Sequence, residues 1–268
     1  MEYDFLGSAY INTTYEELFR ALTSIKKQTL RPNKVVLVID GPIKFNLDKI
    51  LLQFDNKLKI QIINLKKNSG LGVALRKGLE VCVSKYVLRF DTDDINIPIR
   101  AARQIQFMEQ GQYDISSTSI FEFIGNPDNI IAVKKLPINN FKIKMMLPFR
   151  NPFNHPSICF KLNSIRNLDG GYRNFPFYED YDLWIRAIYG GLKCANLDEN
   201  LVGMNSDQLI KRRIGFEKTK NEWKLVKTFR NNSIFGFILF IPSFILRAFI
   251  RCLPVFFITF IYKKFLRS

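Results

Sequence analysis

Histidine occurs once in these 268 residues, tryptophan twice and cysteine four times. Cys82, Cys159, Cys194 and Cys252 form neither a C-x-x-C pair nor a cysteine–histidine spacing, so reduced thiols are expected and a zinc site is not. Long apolar runs are missing as well. The two near the C-terminus, 234–246 and 252–262, hold 13 and 11 residues, short of the roughly 20 that a simple membrane span needs. The N-terminus has Glu2 and Asp4 where a secretory signal would carry basic residues, so no signal peptide is expected. Acidic residues are in the minority, 24 against 40 lysines and arginines, for a formal net charge of +16. Such an excess calls for an anionic partner: nucleic acid, a phosphorylated substrate or anionic lipid. The first 150 residues show no internal repeat, and no Ser/Gly/Pro-rich linker sets off a second globular domain. With 47% hydrophobic and 24% charged residues, the chain reads as one globular domain with an appendage.

What is present alternates. Tyr15, Leu18, Phe19, Leu22 and Ile25 fall at helical spacing within 15–28. Val35 to Ile39 form a continuous apolar run, as in a strand covered on both faces, and residues 60–65 form a second run. Asn68, Gly70 and Gly72 mark a turn before a helix over 71–84, with Leu71, Leu75 and Leu79 on one stripe. A strand at 86–90 and a helix at 99–110 follow. Strand–helix–strand alternation predicts an α/β fold with a mostly parallel sheet flanked by helices. Residues 113–135 read as shorter strands turning at GNPDN, 150–161 as a loop feeding a short strand, and 178–191 as a loop, a helix and a glycine stop.

The stretch YVLRFDTDDINIP (86–98) puts Asp91, Asp93 and Asp94 at the end of a buried strand. Carboxylates this close repel, and burial raises the cost unless something compensates. Two readings stand side by side. An Asp-x-Asp pair at the carboxyl end of a strand can share a hard divalent cation, which would bring phosphates with it. The same residues can instead cap the next helix and charge its first turn.

Four stretches taken in order resemble the family 2 glycosyltransferases, inverting enzymes of the GT-A fold. They are VLVIDGP (Asp40), NSGLGVALRKGL (68–79), RFDTDDINIPIRAARQ (89–104) and YEDYDLWIRA (178–187), and the likeness extends over about residues 8–205. The DGP and NPFNHPS stretches look most like the amylovoran-biosynthesis type of surface-polysaccharide transferase. The resemblance departs at the start, where MEYDFLGSAY is short and polar in places. Tyr10 occupies the family's tyrosine position, and the first strand reads as either complete or truncated.

The resemblance implies roles. Asp40 would accept a hydrogen bond from the nucleotide base or ribose; otherwise it is a strand-end cap. Asn68 and Gly70 would let the backbone approach the nucleotide with Arg76 nearby; otherwise they form an ordinary turn. Asp91 would hold ribose, or Mg²⁺ or Mn²⁺ through water, and Asp93 would ligate the metal directly, with Asp94 left to cap the helix. Asp180 would be the base that deprotonates the acceptor hydroxyl, with Glu179 supporting it or binding acceptor; Asp182 suits an ordinary first-turn charge. His155 would face acceptor or diphosphate, or be structural. Tyr181, Trp184 and Ile188 share a stripe, which puts Trp184 in the core. QLIKRR (208–213) offers cations to pyrophosphate but lacks the tryptophan of processive relatives, so one sugar per event is expected.

The expected organisation is a catalytic domain at 1–205, a basic helical segment at 206–233 and a membrane-associated tail at 234–268. The tail reads as two short amphipathic helices kinked at Pro242 and Pro254, with Arg247, Arg251, Lys263, Lys264 and Arg267 on lipid phosphates. The other reading is a helix buried in an oligomer interface. The implied donor is a nucleoside-diphosphate sugar, a UDP-sugar foremost. The implied acceptor is a polyprenyl-diphosphate-linked saccharide at the cytoplasmic face of the inner membrane, an anionic surface, with no nucleic acid involved. Two competing classes are weaker. An aspartate-nucleophile phosphatase would need Thr or Val at position 95, which is Ile, and a non-catalytic basic binder of membrane or nucleic acid leaves the acidic cluster unexplained.

Overall fold

The computed structural model describes residues 2–207 and 216–251. Strand β1 (Tyr3–Ala9) pairs along its length, parallel to β2 (Lys34–Asp40) on one side and β4 (Tyr86–Arg89) on the other. Its polar residue is no weakness. Asp4 is fully buried, yet its oxygens accept hydrogen bonds from Asn33 Nδ2 (3.1 Å), the backbone N–H groups of Val83 (2.8 Å) and Ser84 (3.1 Å), and Ser84 Oγ (2.8 Å). A buried carboxylate so supplied is satisfied, and it ties the turn before β4 to the first strand.

β3 (Ile60–Leu65) extends the parallel half beyond β2. Helices α1 (Tyr15–Lys26), α2 (Leu47–Phe54) and α3 (Leu71–Val81) supply the crossovers. Alternation along the strands feeds two cores. Phe5, Val35 and Leu37 pack with α1, α2 and α4 (Arg100–Gly111); Leu6, Val36 and Val38 pack with α3 and α7 (Glu179–Tyr189). Past β4 the sheet becomes mixed. β8 (Cys159–Lys161) is antiparallel to β4 and to β6 (Ile115–Ile124), and β9 (Cys194–Asn205) is parallel to β6. β7 (Asn126–Lys134) hairpins onto β6, and the two-residue β5 (Ile95–Asn96) pairs antiparallel with β9. Short helices α5 (Asn140–Met146) and α6 (Leu162–Arg166) complete this half. Cys82, Cys159 and Cys194 are buried, unpaired thiols.

α8 (Phe216–Asn232) is the basic helix, and α9 (Ile234–Arg251) continues through Pro242, while the second expected tail helix lies outside the described residues. Arg247 does not reach outward. Its Nε donates to Glu222 Oε1 at 2.7 Å, and a second arm takes Ser243 Oγ (2.8 Å) and the Phe149 carbonyl. The reason is Glu222: a carboxylate on α8 that is almost fully buried holds its counter-ion inside. Among the described residues no helix is long and apolar enough to cross a membrane. QLIKRR, Pro254, Lys263, Lys264, Arg267 and the Arg251 side chain lie outside the described residues.

Candidate active site

The parallel strands end together, and their carboxyl ends frame a cavity of about 360 Å³. Tyr10 after β1, Asp40 at the end of β2, Asn68 and Gly70 after β3, and Arg89, Asp91 and Asp93 around the end of β4 line it. Ligands collect at this edge of an open α/β sheet. Asp40 is buried and accepts backbone N–H bonds from Ser69 (2.7 Å) and Gly70 (2.9 Å), so it holds the turn that leads into α3. Gly70 caps α3 at φ +93° with open space where a side chain would stand, a conformation that glycine adopts without strain. Gly72 is constrained differently: a Cβ there would lie 2.2 Å from the Arg173 carbonyl oxygen and 2.9 Å from Glu179 Cβ. The first turns of α3 and α7 therefore meet across a glycine. Arg76 does not line the cavity; its exposed guanidinium lies against the Gly170 turn.

Asp91, Asp93 and Asp94 bring one carboxylate oxygen each within 4.8 Å of one another. Asp94 does not cap α4, which starts at Arg100. β5 intervenes, and Asp94 is buried with Oδ1 accepting from the Asn205 N–H at 2.8 Å while Oδ2 has no hydrogen-bond partner. Burial, and then Asp93 and Asp91, push its carboxyl well above the usual carboxylate range. An orphaned buried carboxylate oxygen among three carboxylates is the donor set of a hard cation, so the residues present fit Mg²⁺ or Mn²⁺.

Part of the compensation for this cluster comes from the protein itself. Arg89 is 3% exposed and ion-pairs with Asp91, while its Nε and Nη1 have no hydrogen-bond partner. Burial alone would lower its proton affinity, but Asp91, with Glu179 among the further contributors, outweighs that and raises it. Arg89 thus stands between two acidic groups. Arg100 braces it from below: this fully buried guanidinium donates to the Arg89 carbonyl (2.9 Å), the Ile158 carbonyl (3.1 Å) and Gln104 (3.2 Å).

The second acidic group opens α7, where helix N-termini favour negative charge. Asp180 Oδ1 accepts from the Tyr181 N–H at 2.7 Å, and Oδ2 accepts from Asn151 Nδ2 at 2.6 Å. Burial raises its proton affinity while these donors and Arg89 restrain the rise. Burial and then Asp180 lift Glu179 to about 7. His155 Nδ1 lies 3.8 Å from Asp180 Oδ2, and its Nε2 meets the Tyr172 hydroxyl at 3.0 Å. Burial and then Arg89 push its pKa well below the ordinary range, so the ring is neutral. Asp182 is more than a first-turn charge. It is fully buried, pairs with Arg186 at 2.9 Å and accepts from Thr228 Oγ1 of α8 at 2.8 Å. Trp184 is in the core, as expected.

Sequence reasoning missed Arg89 and Asn151. Arg89 was hidden inside an apolar strand run, although a cation beside a carboxylate triplet is itself a signal. Asn151 sits in the same NPFNHPS loop as His155, where an asparagine carries no signal of its own that separates it from an ordinary loop residue.

The family described as Glycosyl transferase family 2 matches residues 9–166. The chain is 36% identical over 268 residues to the UDP-Gal:alpha-D-GlcNAc-diphosphoundecaprenol beta-1,3-galactosyltransferase of Escherichia coli, covering 99% of this chain and 97% of that protein. It is 36% identical over 262 residues to the amylovoran biosynthesis glycosyltransferase AmsE of Erwinia amylovora, covering 97% of each. In fold it is similar to S. aureus TarS 1-349 in complex with UDP-GlcNAc (TM-score 0.74, 15% identity, 93% of this chain and 73% of that one). A second fold relative is the mannosyltransferase PcManGT of Pyrobaculum calidifontis in complex with GDP-Man and Mn²⁺ (TM-score 0.63, 12% identity, 98% and 79%).

Proposed function

The chain belongs to glycosyltransferase family 2, and from that premise we propose that it transfers a sugar, with inversion, from a UDP-sugar to a polyprenyl-diphosphate-linked saccharide during surface-polysaccharide assembly. It works at the cytoplasmic face of the membrane. The single observation that carries this reading is the pairing of a nucleotide-sized cavity at the strand ends, lined by Arg89, with a buried carboxylate pair, Glu179 and Asp180, within electrostatic reach of the same arginine. The E. coli relative's UDP-Gal donor and diphosphoundecaprenol acceptor support the substrate classes.

The uridine diphosphate occupies the cavity against Tyr10, Asp40, Asn68 and the open backbone of Gly70. Asp91, Asp93 and Asp94 would hold Mg²⁺ or Mn²⁺, which when bound offsets charge on the leaving diphosphate. Asp180 takes the proton of the acceptor hydroxyl. The acceptor oxygen bonds to the anomeric carbon as the bond from that carbon to the diphosphate breaks, and the nucleoside diphosphate departs. One attack inverts the centre, so one base suffices. A buried base with raised proton affinity is better matched to neutral pH than an ordinary aspartate, and Asn151 fixes the rotamer that presents it. Glu179, lifted to about 7, is about half protonated at neutral pH and so can donate to the acceptor as well as accept from it.

The test is calorimetric titration of nucleoside-diphosphate sugars with and without Mn²⁺, beside transfer assays on a short-chain lipid acceptor. Asp180→Asn should bind donor as the wild type does and lose about 10²–10⁴ in rate, the worth of a general base. A variant within a few-fold of wild type would move the base elsewhere.

A further inference from the structure

α9 carries its apolar side chains all round but buries only one face. Phe240 stacks on Phe229 of α8 at 4.5 Å, and Phe244 packs on Trp223 at 5.3 Å. Arg247 is folded inward onto Glu222. The opposite face shows Ile234, Phe235, Ile238, Ile245, Leu246 and Phe249, each more than half exposed. Six such side chains leave on the order of 600 Å² of apolar surface, the upper end of what a monomer carries without a partner.

The ridge is flanked on both sides by cations. Along α8, Lys220, Lys224, Lys227 and Arg230 form an exposed row. On the other side Ser243 Oγ bonds the Pro148 carbonyl at 2.8 Å, bringing in the α5 segment with exposed Lys142, Lys144 and Arg150. None of these seven has a carboxylate partner among the described residues; Lys224 meets Asn221, and Lys144 lies over the Tyr189 ring. Between α8 and α9 runs a groove of about 490 Å³ with Trp223, Phe237 and Ile241 on its walls and Lys227 and Arg230 at its rim.

We propose that this face is a docking surface for an anionic phospholipid bilayer. α9 lies in the membrane plane with its ridge at the headgroup–acyl boundary, the two cation rows sit on lipid phosphates, and the α8–α9 groove receives a phosphate headgroup over Trp223. An apolar ridge between cation rows is the charge complement of that surface, and tryptophan favours that depth. The cations that engage lipid are thus those of α8 and α5, in place of Arg247. The choice of a bilayer rests in part on the lipid-linked acceptor proposed above; the surface itself does not.

The experiment is flotation of the full-length protein with phosphatidylcholine vesicles, with and without about one-third phosphatidylglycerol, at low and at about 1 M salt. Wild type should float with anionic vesicles and be retained in part at high salt. The triple variant Lys224→Glu, Lys227→Glu, Arg230→Glu should lose at least tenfold in partition at low salt. Ile238→Ser with Phe249→Ser should lose the salt-resistant fraction. Circular-dichroism melting checks that each variant is folded. Wild type staying with the lipid-free fraction, or both variants floating like wild type, overturns the proposal. A ridge variant that turns a dimer into a monomer while still floating would assign the face to a second copy and overturn it too. No donor or acceptor enters the flotation, so failure of the transfer reading and failure of the docking surface are read separately.

Discussion

Replacing Glu179 by Gln should make the protein more stable at neutral pH and leave it unchanged in acid. In the folded chain this carboxyl is held at about 7 by burial and by Asp180, against an ordinary 4.5. Between those values the folded state keeps a proton that the unfolded state releases, so stability falls as pH rises from about 4.5 to about 7. At about 1.4 kcal/mol per pH unit the loss amounts to roughly 3 kcal/mol. Gln keeps the shape and cannot ionise, so it removes the loss. Scanning calorimetry in EDTA should find the two proteins melting together near pH 4.5 and separating steadily up to pH 7.5. There the variant should be higher by about 6–12 °C, taking about 2–4 °C per kcal/mol for a chain of this size. Parallel melting curves would refute the reasoning. A wild type that gains on the variant as pH rises would show that Arg89 outweighs burial and Asp180 and keeps Glu179 ionised.

Asp93→Ala, or EDTA on the wild type, should weaken UDP-sugar binding and abolish transfer; a donor isotherm unchanged in both cases would remove the metal from the site. Asn151→Ala should shift the acid limb of the kcat/KM profile to higher pH, because it removes a donor to the charged form of Asp180; an unmoved limb would show that the Tyr181 N–H alone holds the base. Gly72→Ala should lower Tm, since a Cβ 2.2 Å from the Arg173 carbonyl oxygen costs about 1–3 kcal/mol by overpacking, more than the helix gains from alanine; an equal or higher Tm would mean that α3 and α7 separate freely.

Residue periodicity was enough to read the parallel half. The apolar run at Val35–Ile39 is a two-face burial pattern and the stripes of α1 and α3 are one-face patterns, while 60–65, on the sheet edge, was legible from its isoleucines. The mixed half was harder because its strands are paid for by polar partners. β9 contains Asp198 and Glu199, which pair with Lys135 and Arg103, and no alternation survives that. β1 read as weak because Asp4 looks like a strand breaker until Asn33, Val83 and Ser84 are seen around it. Within the site, residues with oxygen or imidazole chemistry were legible as types, and the structure brings Asp91, Asp93 and Asp94 together, and His155 to Asp180. Arg76 was not separable from an exposed helical arginine by sequence alone. Arg247 was misread for a related reason: an arginine in an apolar helix looks like a lipid-phosphate ligand until its partner, Glu222, is located 25 residues earlier in the chain. The pair also means that removing α9 would strand Glu222 in the core and uncover Phe229, so point variants on the ridge are the sounder probe.

Asp182 joins the acidic end of α7 to the C-terminal helices. It lies two residues beyond Asp180 on α7 and is bonded to Thr228 of α8. If α8 and α9 rest on a bilayer as proposed, this bond sets the height of Asp180, the proposed base, above the phosphates. A lipid-linked glycan would then have to carry its reactive hydroxyl at that height, and the molecule would act as a gauge of glycan height. A saccharide one unit shorter or longer would bring the hydroxyl below or above the reach of Asp180, and acceptor length would be selected by elevation as well as by sugar chemistry.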